Sequence, residues 1–191
     1  MASHKPIRAV VSADSEALLR VAVATSLFKL GEAEQLLGGV LRELLDGSLG
    51  PGHTARVADG PFAPVGWTYF SPDPHEEGVW ELWWIGVVPE YHGHGVGARL
   101  LADFEALASQ NGARILLICT SSTESTARAR AFYVRQGYEQ VGQIPEFYGP
   151  GDDKLLEKPS KLHITDIGTR SDTAADWFWG GYFEKLFSDD Y

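Results

Sequence analysis

The residues best suited to chemistry in this chain are six in a row, His92-Gly93-His94-Gly95-Val96-Gly97. Glycine reaches positive φ without a Cβ penalty, so closely spaced glycines let successive main-chain amides converge on one anion. A helical apolar pattern begins at Gly95, and the unpaired amides and positive dipole end of a helix N-terminus would add to that cradle. The chemistry this favours is the holding of a pyrophosphate. His92 and His94 would also suit a metal, but no acidic or cysteine cluster accompanies them. They read as loop residues beside phosphate, and no metal is expected. The single cysteine, Cys119, follows Ile115-Leu116-Leu117-Ile118 and reads as a buried strand thiol in preference to a nucleophile.

These residues need elements to position them. Val79–Val88 is rich in aromatic and β-branched residues and ends at Pro89, which predicts a long strand leading into the glycine turn. Leu100, Leu101, Phe104, Leu107 and Ala108 share one face of a predicted helix over 95–109, and Ala113–Cys119 reads as a buried strand. Ser121 and Glu124 form an expected capping box for a helix to about Arg135, with Gly137 as its left-handed stop. Upstream, the residues predict a strand over 6–11, helices over 16–29 and 33–45, and strands over 53–58 and 65–70. Downstream, strands over 138–144 and 154–158 flank the turn Gly149-Pro150-Gly151-Asp152-Asp153. Helices, then antiparallel-looking strands, then alternating strand and helix imply an α+β fold with a mixed sheet.

The composition narrows the function. A length of 191 residues fits one domain, perhaps with an appendage, and the 44% apolar content supports a core. A net charge of −10 argues against nucleic-acid or anionic-membrane partners, so any phosphate site must be built locally. No apolar run approaches the ~20 residues of a membrane helix. Residues 1–10 lack a signal pattern and one cysteine excludes an intrachain disulfide, so a cytoplasmic protein is expected. Residues 171–188 carry Trp177, Phe178, Trp179, Tyr182, Phe183, Leu186 and Phe187, much of it at helical spacing. They are expected to form an aromatic amphipathic helix docked on the domain or on a second copy, making a homodimer a hypothesis.

A dinucleotide-binding fold would place its glycine loop early and an acid about 20 residues later. Here the loop is mid-chain and Asn111-Gly112 stands where that acid should be. The residues instead resemble the GNAT superfamily of N-acetyltransferases, whose acyl-CoA loop is Arg/Gln-x-x-Gly-x-Gly/Ala after Val-x-Pro-x-Tyr. The chain reads Val87-Val88-Pro89-Glu90-Tyr91 and then His92 to Gly97, with Ala129, Phe132, Tyr133, Gly137 and Tyr138 matching a later motif. Ile144 to Asp153 is similar to one bacterial subgroup. The resemblance covers residues 6–158, so residues 1–158 are expected to be the acetyltransferase domain and 159–191 an extension. His92 and Thr126 depart from the family's usual Arg/Gln and Asn.

The resemblance implies a mostly antiparallel sheet of six or seven strands, splayed between 79–88 and 113–119 to admit acetyl-CoA. It implies main-chain contacts from Val87 and Val88 to the pantetheine arm, and a diphosphate held by His92, Gly93, His94, Gly95, Val96, Gly97 and Ala98. Thr126 and Phe132 would complete the cofactor site. The implied reaction is direct attack of a neutral primary amine on the thioester, with an amide near Val87 steadying the oxyanion. Tyr133 is the implied acid for the departing thiolate, the alternative being a core tyrosine. Glu81 is the candidate base, expected to share a face with Trp83 and Ile85, where apolar neighbours raise its pKa. A solvated edge carboxylate or a water-relayed base are its rivals. Arg128, Arg130 and Arg135 reach toward the cofactor or form a solvated helix face, and Trp80, Trp83 and Trp84 line an acceptor pocket or pack. The acceptor stays open among polyamine, aminoglycoside, amino acid and protein N-terminus. A non-catalytic acyl-CoA-sensing module of the same fold is the other functional reading.

Overall fold

The computed structural model describes residues 6–28 and 30–160. The expected C-terminal helix over 171–188 lies outside the described residues. Seven strands form one sheet: β1 (Ile7–Ala9), β2 (Thr54–Asp59), β3 (Pro64–Pro72), β4 (Val79–Val87), β5 (Ile115–Ser121), β6 (Tyr138–Gly149) and β7 (Asp152–Pro159), in the order β1-β2-β3-β4-β5-β7-β6. Every pairing is antiparallel except β4 with β5. The expected α+β, mostly antiparallel sheet is what forms.

Helix α1 (Ser15–Ala24) lies on one face of the sheet, held by the Trp67 indole, which donates to the Leu18 carbonyl at 3.0 Å. It ends before residue 29 because the Thr25 hydroxyl bonds back to the Ala22 carbonyl and Ser26 turns to φ 62°. The second helix is one run in three parts: α2 (Leu30–Ala33), a π-helical stretch (Glu34–Gly38) and α3 (Gly39–Asp46), closed by Gly47 at φ 81°. These helices cover a core of Leu18, Leu37, Leu41, Val57, Trp67 and Trp84.

Helix α4 (Val96–Gln110) covers the opposite face, burying Leu101 and Phe104 against Phe70, Leu82, Leu116 and Ile118. Asp103 on α4 accepts two hydrogen bonds from the Arg56 guanidinium of β2, at 2.8 and 3.0 Å, fixing the helix along the sheet. Helix α5 (Ala127–Arg135) packs on this second face through Ala129, Phe132 and Tyr133. Gly137 at φ 85° turns the chain from α5 into β6, as its position predicts. The capping box does not form. Ser121 is the last residue of β5, where its hydroxyl lies 2.6 Å from Asp152 and accepts from the Thr123 amide, and the helical turn begins only at Glu124.

Candidate active site

The sheet opens where its one parallel pairing stops. Strands β4 and β5 pair only from Val79–Ile115 to Leu82–Ile118, after which β5 pairs with β7 as far as Ser121. From Trp83 onward β4 therefore has no strand on its β5 side. A bulge at the same level helps turn it away. Phe70 pairs with Leu82 and Tyr69 with Trp84, so Trp83 is an extra residue that reverses the side-chain alternation. Trp80 and Leu82 face α4, Trp84 faces α1, and Ile85 and Val87 face α4 again.

That parity change corrects one expectation. Glu81 shares its face with Trp83, whose indole donates to Ser71, the residue paired with Glu81. Ile85 is on the opposite face. Trp80 and Trp84 are packing residues and Trp83 is the half-exposed one.

Along the open edge, the Val88 amide donates to Val65 at 2.9 Å. By strand alternation the amide and carbonyl of Val87 point the other way, into the gap. The loop then supplies its amides. Gly93 and Gly95 have φ of 79° and 75°, and the first helical bond runs from the Arg99 amide to the Gly95 carbonyl. The amides of Val96, Gly97 and Ala98 thus begin the helix without an acceptor inside it, beside the gap. Val96 anchors the turn by burying its side chain against Val87 and Leu100. The α5 wall stands close: a Cβ on Gly97 would lie 3.4 Å from the Phe132 ring. An open edge beside a glycine cradle fits an extended arm ending in a diphosphate.

The expected side-chain donor to phosphate is engaged elsewhere. The His92 Nε2 lies 2.7 Å from the Val87 carbonyl, so the imidazole donates to the strand end. Its Nδ1 is buried without a partner. Thr126 is also committed locally, its hydroxyl lying 2.7 Å from the Ser121 carbonyl. Arg130 joins the same knot, donating to the carbonyls of Ser121 and Thr123 at 2.7 and 2.8 Å, and so belongs neither to a solvated face nor to the gap. No group of three metal-ligating side chains occurs among the described residues.

Three ionisable groups matter here: Glu81 and Cys119 beside the last β4–β5 pair, and Tyr133 in the core under α5. Glu81 is buried, and burial raises its pKa, while the Cys119 thiol and the Lys154 ammonium pull it back and Asp73 adds to the rise. Burial first, and then the Glu81 charge, pushes Cys119 up to about 12, so it is not a thiolate nucleophile at neutral pH. Tyr133 is 4% exposed, and burial together with Glu157 holds its phenol protonated well beyond neutrality. Glu81 and Cys119 occupy the α1 face, whereas Tyr133 occupies the α4 face.

The residues 144–149 hold what the sequence did not disclose. Ile144 pairs with Lys154 and Gly149 with Asp152, leaving four residues, Pro145 to Tyr148, opposite Asp153 alone. The only signal was Pro145, which cannot donate to a ladder.

The sequence model of the Acetyltransferase (GNAT) family matches residues 18–138. A GNAT-family acetyltransferase structure from Desulfovibrio desulfuricans is 30% identical, with a TM-score of 0.71 over 83% of this chain and 98% of that one. An acetyltransferase from Salmonella typhimurium, solved with its cofactor acetyl-CoA, is 17% identical with a TM-score of 0.65 over 90% of this chain and 100% of that one. The aminoglycoside 6'-N-acetyltransferase from Enterococcus faecium is 16% identical, with a TM-score of 0.64 over 86% of this chain and 100% of that one. The last two share the fold. Together with the splayed sheet and the glycine cradle, the family match establishes that this chain belongs to the GNAT family of acetyltransferases.

Proposed function

We propose that the protein transfers the acetyl group of acetyl-CoA to a primary amine by direct attack on the thioester. The observation that carries this reading is the coincidence of three features at one place: the gap after Leu82–Ile118, the cradle over 93–98, and the Glu81 carboxyl beside the gap. The Val87 amide faces the pantetheine arm, whereas the Val87 carbonyl is taken by His92 and the Val88 amide and carbonyl by Val65 and Tyr91, so Val88 offers the arm no main-chain bond. Gly93 to Ala98 hold the diphosphate through amides, with His94 exposed beside them and His92 fixing the strand end.

Glu81 is the proposed base. An ammonium is not nucleophilic, and a carboxylate whose pKa is raised is the better acceptor of its proton, directly or through one water. The Val87 amide, aimed into the gap, steadies the oxyanion. Tyr133 gives a proton to the departing thiolate. A phenol whose pKa is raised favours the protonated, donating form, which an acid requires. Thr126, with Arg130, holds the turn that sets α5 and hence Tyr133 and Phe132. Residues 1–158 are read as the transferase domain and 159–191 as an extension to it.

The test is release of free CoA thiol from acetyl-CoA in the presence of a panel of primary amines. Amine-dependent release, lowered by Tyr133→Phe and Glu81→Gln, supports the reading. Binding of acetyl-CoA without release for any amine rejects it in favour of sensing.

A further inference from the structure

The four-residue bulge in β6 is built with some cost and to one effect. Glu146 sits at φ 53°, a left-handed conformation that strains a non-glycine residue. The position is held because the Glu146 amide donates to Asp153 at 2.8 Å, and Asp153 also receives the Gln143 side chain. Bulges of this kind re-aim side chains near functional sites. Here the bulge throws Phe147 and Tyr148 out of the ladder as a perpendicular pair, ring centroids 4.9 Å apart.

These rings go toward Glu81. Lys154 pairs with Ser121, two residues along β5 from Cys119 and on the same face, its Nζ stands over the Phe147 ring, and Tyr148 packs on Phe147. Trp83 is the extra residue of the other bulge, on β4, with its indole on Ser71, the partner of Glu81. Trp83, Phe147 and Tyr148 are 40%, 38% and 43% exposed, three large aromatics left open to solvent. The protein's own primary ammonium is already among them, since Lys154 Nζ stands 4.7 Å from the Phe147 ring centroid and acts on Glu81 and Cys119.

We infer that the two bulges shape the acceptor site, with Tyr148 and Trp83 as its specificity-determining walls, for a primary amine carried on an apolar or aromatic stem. The inference deepens the transferase reading and rests on it. The rings offer flat apolar surface to the stem while Glu81 receives the amine's proton. The ring faces give the further ammonium groups of a polyamine, or the hydroxyls of an aminoglycoside, no hydrogen-bond acceptor in exchange for water.

The experiment compares phenethylamine, spermidine and kanamycin in two assays. One is thiol release from acetyl-CoA. The other is calorimetric binding to the CoA-saturated full chain, which does not require turnover. Phenethylamine should show kcat/KM at least tenfold above either polycation. Tyr148→Ala should raise its KM about tenfold and leave the KM for acetyl-CoA unchanged, with Tyr148→Phe closer to wild type. Preference for a polycation, or a phenethylamine KM indifferent to Tyr148→Ala, overturns the inference while leaving acetyl transfer intact. Tyr148-dependent binding of phenethylamine without turnover supports the site and overturns transfer. Failure of phenethylamine to bind or react overturns the inference.

Discussion

The His92 imidazole donates to the carbonyl of Val87, five residues earlier, across 2.7 Å. This contact closes the turn that separates the open edge of β4 from the glycine cradle, so strand end and loop move as one unit. A residue placed to touch phosphate instead braces the backbone that meets the pantetheine arm. His92→Ala should therefore weaken acetyl-CoA binding about tenfold, roughly the value of one hydrogen bond to a buried carbonyl. Calorimetry checks it, and His92→Gln, which keeps a donor, should recover part of the loss.

Gly95 begins α4 at φ 75°, and a Cβ there meets nothing within 4 Å. Gly95→Ala should cost about 1–2 kcal/mol of stability through the left-handed backbone alone. It should also weaken acetyl-CoA binding by tenfold or more if the diphosphate occupies that open space, as the proposed cradle requires. Thermal unfolding and calorimetry separate the two effects, and binding must fall by more than the change in stability explains.

Glu81→Gln should lower kcat by about 10²–10⁴-fold if the carboxylate is the base, and remove the acid limb of the pH–rate profile. The stability effect has the opposite sign. Because burial raises the folded-state pKa of Glu81, its contribution is fully present below the unfolded pKa and is lost as pH rises through the folded value. At neutral pH the glutamine variant should unfold at a higher temperature than wild type. Lower activity together with a raised Tm is the signature.

Tyr133→Phe removes one oxygen from a side chain packed between Phe132 and Tyr138. If the phenol donates to the thiolate, kcat should fall at least tenfold with Tm within about 2 °C of wild type. A normal kcat would return Tyr133 to the core.

The fold and the cradle were legible in the sequence because they rest on local chemistry. The apolar spacing of Leu100, Leu101, Phe104 and Ala108 set α4, and the glycines at 93 and 95 marked the positive-φ turn. What escaped was two-residue parity and backbone detours. Trp83-Trp84-Ile85 gives no alternation from which to place a bulge, so Ile85 was put on the face of Glu81. The strand predicted over 138–144 stopped at Pro145, but nothing in Glu146-Phe147-Tyr148 showed that the chain would detour and rejoin β7 at Gly149. Ser121 and Glu124 had the spacing of a capping box, yet β5 carried Ser121 into the sheet.

The central claim is that main-chain amides over 93–98 hold a diphosphate beside the gap in the sheet. Calorimetric titration with CoA and with pantetheine, which keeps the arm and lacks the diphosphate, tests it most directly. Binding of CoA at least a hundredfold tighter than pantetheine is the predicted result. Equal affinities for the two would contradict it.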